Sequence, residues 1–182
     1  MSETYPVEVA GVKRALPLVE VAPGVTIALL NILGDVEFVR ACADALAEKL
    51  ADIDYDVLVT AEAKSIPLIH ALAEAISKDY VVLRKSYKPY MGEAISAETV
   101  SITTGQPQTL YLDAKDRQLI QGRRVVLLDD VISTGSTQNG MRAVMEKAGA
   151  EIATEAAIFT EGDEEKWTHI ISLGHLPLFL DN

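Results

Sequence analysis

Residues 125–137 read VVLLDDVISTGST. Four apolar residues run into two adjacent aspartates, Asp129 and Asp130; two more apolar residues follow, then a loop of serine, threonine and glycine. A short, uninterrupted apolar run is how a strand buried on both faces reads. From Thr137 to Ala148 the pattern turns helical, and Gly149 closes it. Strand, tight loop and helix form the repeating unit of a parallel α/β fold, whose ligands bind beyond the carboxyl ends of the strands. The paired acids and the hydroxyl-rich loop both fall at that end.

The same rhythm extends outward in both directions. Extended pieces are expected at 13–20 and 24–30, joined by a turn at Pro23–Gly24. Asp35 is placed to cap a helix over 36–50, with Val36, Val39, Ala43, Leu46 and Leu50 along one face. Strands follow at 56–60, 80–85, 123–130, 151–160 and 168–173, with a second helix from Pro67 to Ser77. This predicts one α/β domain over residues 1–182, a doubly wound, mostly parallel sheet. Residues 86–122 break the rhythm: they are polar, carry Pro89, Gly92, Gly105 and Pro107, and offer no helix, only a hairpin of 96–103 with 108–112. A long insertion of this kind between motif-bearing strands reads as a functional loop.

Composition narrows the functional classes. Nearly half of the 182 residues are apolar, which fits a packed core. A formal charge of −11 argues against a broad nucleic-acid surface. The apolar runs are too short for a bilayer, and MSETYPVEVAG lacks the order of a signal peptide, so a cytoplasmic protein without a membrane partner is expected. The single cysteine, Cys42, reads as a small core residue, and His70, His169 and His175 have no metal-ligand spacing.

Three groups of residues carry chemistry. In Ser133–Thr134–Gly135–Ser136–Thr137, Gly135 permits a tight turn; backbone N–H groups and the helix N-terminus behind it attract an anion, and four hydroxyls add donors. No lysine follows, so this is not the nucleotide P-loop, and a phosphate monoester fits. Asp129 and Asp130 fit two roles, accepting hydrogen bonds from a vicinal diol such as that of a ribose or ligating Mg²⁺ with substrate oxygens and water. Lys64, Arg84, Lys85 and Lys88 gather cationic charge at strand ends of an acidic chain, as a pyrophosphate would require.

The run of apolar strand, paired acids, apolar pair and Thr134-Gly135-x-Thr137 resembles the ribose-5-phosphate signature of the type I phosphoribosyltransferases, which bind phosphoribosyl pyrophosphate. Over residues 20–160 the order of pieces resembles the adenine and xanthine branch. There TAEAKS (60–65) resembles the short pyrophosphate loop, with Ala63, Lys64 and Ser65 presenting N–H groups. RKSYK (84–88) matches RKxxK, and APGV (22–25), ending in Val25, resembles the entry to a base-covering hood. The resemblance implies transfer of 5-phosphoribosyl to a purine base, adenine favoured, with release of pyrophosphate. It places Asp129, Asp130 and Lys88 in the catalytic set, and Val25, the 63–65 loop, Arg84, Lys85 and residues 133–137 in substrate binding. It also implies Mg²⁺ held mainly by the substrate, with water linking it to Asp129 or Asp130. A flexible loop at 86–112, a hood from 1–34 with 160–182 as its second contributor, and a homodimer complete the expectation. Two segments depart from the adenine pattern. Thr103 stands where a loop glutamate is expected, and 160–179 does not match the adenine-type ending. Xanthine, hypoxanthine, guanine or orotate is therefore the alternative acceptor, and a non-catalytic phosphoribosyl pyrophosphate-binding regulator the alternative class. Trp167 reads as a packing residue rather than a cover for the base.

Overall fold

The computed structural model describes residues 3–100 and 107–180. Two strands, β1 (Thr4–Val9) and β2 (Val12–Ala22), form a hairpin whose turn at Ala10–Gly11 takes two successive positive φ angles, 49° and 79°. The chain returns as β3 (Val25–Ala28) after the expected turn at Gly24. Helix α1 (Val36–Leu50) begins where Asp35 accepts a hydrogen bond from the Phe38 N–H, as its position before an apolar-periodic run predicts. Then come β4 (Val57–Ala61), α2 (Ile66–Ile76) and β5 (Tyr80–Leu83). The hairpin β6 (Ile95–Val100) and β7 (Pro107–Leu112) follows, then the one-turn α3 (Arg117–Ile120), β8 (Arg124–Ile132), α4 (Ser136–Ala148), β9 (Glu151–Glu161), β10 (Ile171–Leu176) and β11 (Leu178–Leu180).

The centre is a five-stranded, all-parallel sheet in the order β10-β9-β8-β4-β5. Its strands are apolar on both faces because both faces are covered. On one face α1, α2 and the small sheet enclose Phe38, Leu46, Leu68, Leu72, Leu128 and Ile158; on the other, α4 and the 95–112 hairpin enclose Val59, Leu110, Leu127, Met141 and Val144. Sheet order and helices on opposite faces make this the doubly wound α/β fold expected from the sequence. A separate four-stranded sheet, β1-β2-β3-β11, stands at the carboxyl end of the parallel strands.

Several local expectations need correction. The strand expected at 168–173 begins at Ile171; residues 164–167 form a short 3-10 turn instead, because the Asp163 carboxylate accepts from the Glu165 N–H and curls the chain. Neither β1 nor β11 is among the expected strands: β11 pairs with the distant β3, whereas β1 is the first arm of a local hairpin with β2. Residues 86–122, expected to hold no helix, contain helical turns at Pro89–Met91, Ala114–Asp116 and α3. Asp113 begins the second of these by accepting from the Lys115 N–H at 3.1 Å. The hairpin expected there is present and lies on α4, close enough that a Cβ on Gly140 would stand 2.9 Å from Leu110 Cδ1. Thr103 and the rest of 101–106 lie outside the described residues. Cys42 is fully buried as a core residue, and burial pushes its thiol up to about 12.

Candidate active site

Asp129 and Asp130 lie side by side near the end of β8, and the Ser65 hydroxyl is within hydrogen-bonding distance of both carboxylates, 2.8 Å from Asp129 Oδ1 and 3.3 Å from Asp130 Oδ1. Asp130 opens into a cavity of about 580 Å³ between the carboxyl ends of the parallel strands and the small sheet. Asp129 does not line that cavity. Its Oδ1 accepts from the Ser65 hydroxyl at 2.8 Å and from the Asp130 N–H at 2.9 Å; its Oδ2 accepts from Gln138 Nε2 at 3.0 Å. Ser65, at the start of α2, is thereby a relay, since its oxygen also accepts from the Asp130 N–H at 3.0 Å. Burial, reinforced by the adjacent Asp130 charge, pushes the Asp129 carboxyl up to about 7.

The loop after β8 takes its shape from Gly135. Its φ of 80° lies in the left-handed region, and a Cβ there would stand 2.9 Å from Trp167 Cη2. Thr134 and Ser136 pair their hydroxyls at 3.1 Å, while Gly135 precedes α4 without a side-chain cap. The Thr134 hydroxyl also accepts from the Ser136 N–H at 3.4 Å. Ser133 and Thr134 line the cavity itself; Gly135, Ser136 and Thr137 form the turn behind them.

Lys64 reaches the cavity from the loop after β4, where its ammonium donates to the Leu30 carbonyl at 3.3 Å. Val21, Ala22, Val25, Ile27, Ala28, Leu29 and Leu30 form the apolar wall opposite. The structure thus brings together Val25, Lys64, Asp130, Ser133 and Thr134 in one space, with Asp129 and Ser65 directly beneath. Ala63 is exposed at the loop tip, following a cis Glu62–Ala63 peptide.

The Arg-Lys run is not part of that cavity. Arg84 lines a separate recess with Glu62, Tyr90 and Asp113, and its Nε donates to Glu62 Oε2 at 2.6 Å. Glu62 also accepts from the Lys85 N–H at 2.6 Å. Burial pushes the Glu62 carboxyl up, but the Lys85 N–H and the Arg84 guanidinium outweigh it and hold the group below its ordinary value. The Lys85 and Lys88 side chains are exposed. Trp167 packs on Ile132, Ala157 and Ile170 and donates from Nε1 to the Glu161 carbonyl at 3.0 Å, so it packs beneath the loop instead of lining the cavity.

Sequence reading passed over Glu62, Gln138 and Glu161. Glu161 ends the apolar run of β9 and lines the cavity beside Asp130 and Lys64. An acid closing a buried strand is the same signal that drew attention to Asp129 and Asp130, without a neighbouring acid to amplify it.

Residues 30–171 match the family model of the phosphoribosyl transferase domain. The chain belongs to the phosphoribosyl transferase family. An adenine phosphoribosyltransferase of Thermosipho africanus is 33% identical over 149 residues, covering 78% of this chain and 84% of that protein. A hypoxanthine/guanine phosphoribosyltransferase of Methanocella paludicola is 36% identical over 118 residues, 65% of this chain and 58% of that one. The crystal structure of adenine phosphoribosyltransferase from Thermoanaerobacter pseudethanolicus superposes with a TM-score of 0.68 at 21% identity, covering 95% of each chain. At that identity the superposition shows the shared fold. The matched region contains β8, α4 and every charged residue lining the cavity.

Proposed function

We propose that this protein transfers 5-phosphoribosyl from phosphoribosyl pyrophosphate to a purine base, with adenine as the favoured acceptor, releasing pyrophosphate. The observation that carries this reading is the single cavity in which an acid, an anion loop, a lysine and an apolar wall meet. Each lining group matches one part of the donor or acceptor. The Ser133–Thr137 turn and the N–H groups of α4 hold the 5′-phosphate. Asp130 accepts from a ribose hydroxyl, and Asp129, held by Ser65 and Gln138, fixes the backbone that aims it. The Lys64 ammonium and the N–H groups around Ala63 and Ser65 face the pyrophosphate. Val25 and its apolar neighbours cover the flat face of the base.

As the donor's C1–O bond to pyrophosphate breaks, positive charge develops on the ribose. Asp130 stabilises it, more strongly in a dry cavity than in water. The described residues contain no cluster of three or more His, Cys, Asp or Glu able to hold a metal. Mg²⁺ would be carried by the donor's own oxygens, with a water linking it to Asp129 or Asp130. Bound there, Mg²⁺ would neutralise the leaving pyrophosphate. Arg84 is paired with Glu62 outside the cavity, so its contribution is to the shape of the 62–65 loop, and homodimer formation is the companion expectation for sedimentation to check.

The experiment is pyrophosphate release with phosphoribosyl pyrophosphate and Mg²⁺, against adenine, hypoxanthine, guanine, xanthine and orotate separately. Release with adenine in excess of the others supports the reading. Donor binding without release with any base would place the chain among non-catalytic binders.

A further inference from the structure

A carboxylate that opens onto a cavity and receives no hydrogen from the protein is left to accept from whatever enters. Glu161 is 5% exposed and lines the cavity, yet among the described residues no side chain or N–H donates to its carboxylate, and no cation lies within ion-pairing distance. Lys64, the cation that shares the cavity, is engaged with the Leu30 carbonyl. The other charged group there, Asp130, is a second carboxylate. A ligand entering beside Glu161 must therefore bring its own hydrogens.

The backbone around Glu161 is clamped on every side. Its carbonyl accepts from Trp167 Nε1 at 3.0 Å, and the next N–H, of Gly162, donates to the Leu176 carbonyl at 3.1 Å. The ring of His175 lies 2.9 Å from the Thr160 hydroxyl through Nδ1 and 3.0 Å from the Gly162 carbonyl through Nε2. These contacts tie the residues before and after Glu161 to one side chain. Leu178, which pairs with Ile27 of the apolar wall, comes within 3.1 Å of where a Cβ on Gly162 would stand. The carboxylate thus sits at the apolar, base-covering end of the cavity on a rigid support, the condition for a polar group that reads its ligand.

We infer that Glu161 selects 6-aminopurines over 6-oxopurines by accepting a hydrogen bond from the exocyclic amino group. Adenine presents N6–H donors at that edge, whereas hypoxanthine and guanine present the O6 acceptor, which a buried carboxylate repels. The inference rests on the purine-transfer reading above and names the residue that sets its acceptor.

The test measures binding of AMP, IMP and ribose 5-phosphate to the full chain by calorimetry, for wild type, Glu161→Gln and Glu161→Lys. Wild type should bind AMP about 10- to 100-fold more tightly than IMP, the range of a charge-assisted hydrogen bond. Glu161→Gln should shrink that ratio toward one, because an amide donates to O6 as readily as it accepts from N6, and Glu161→Lys should invert it. The ratio is unaffected by any loss common to both nucleotides, so a purely structural role would leave it fixed. Ribose 5-phosphate binding with the same AMP-to-IMP ratio in all three proteins, or a wild type that prefers IMP, overturns the role of Glu161 alone. Absence of ribose 5-phosphate binding to wild type overturns the purine-transfer reading, and this inference with it.

Discussion

Replacing Asp129 by Asn changes a buried carboxyl that the fold pushes up to about 7, and the consequence for stability has a definite sign. The folded-state value lies above the unfolded one, so the folded chain binds more protons in the interval between them. Stability is therefore greatest below the unfolded value near 3.8 and falls as pH rises through the folded value. Between about pH 5 and pH 8 some two units of that interval are crossed, worth about 3 kcal/mol at 1.36 kcal/mol per unit. The amide of Asp129→Asn does not ionise. Its oxygen still accepts from Ser65 and the Asp130 N–H, and Gln138 keeps a partner by turning its own amide over. Wild type should therefore lose about 3 kcal/mol relative to the variant on going from pH 5 to pH 8, read as the difference between two urea-unfolding series. At pH 8 the variant should be folded and at least as stable as wild type, while its turnover falls because the negative charge beside the ribose is halved. A stability difference constant to within about 0.5 kcal/mol across that range would show that Asp129 is not desolvated as its surroundings require.

Gly135→Ala should cost about 1–2 kcal/mol for the left-handed backbone alone. Because Trp167, the single tryptophan of the chain, must also move, its fluorescence should shift with the loss of ribose 5-phosphate affinity; unchanged emission with unchanged stability would refute the close approach. Glu62→Gln should cost about 1 kcal/mol near neutral pH, since the pair with Arg84 is partly exposed. The Glu62 carboxyl is held below its ordinary value, so its contribution is present above that value and lost on acidification through the folded one. The gap between wild type and variant should narrow as pH falls below the ordinary glutamate range, as thermal unfolding at several pH values would show.

Much of this was legible in residues 125–137. An uninterrupted apolar run requires burial on both faces, and a hydroxyl-rich loop with one glycine before a helix requires an anion or a cap. Those are local demands, and they fixed the parallel sheet, the helices after β4 and β8, and the end of the sheet that carries the chemistry. Local pattern has no access to what distant segments supply. β11 exists because the distant β3 offers it an edge, and a strand's neighbours are not written in its own sequence. The two aspartates look alike in the chain, yet in the fold Asp130 lines the cavity while Asp129 alone takes the hydrogen bond from Gln138. The Arg-Lys run looked like free cationic charge, but folding brought Glu62 back across 22 residues to neutralise Arg84. Glu161 is plain in the sequence as an acid ending a strand. Only tertiary packing encloses it in the cavity wall with Lys64 and Asp130, where among the described residues no side chain or N–H donates to it. Sequence determines which groups are present and their local backbone; burial and partnership, which decide what a charged group does, depend on long-range packing.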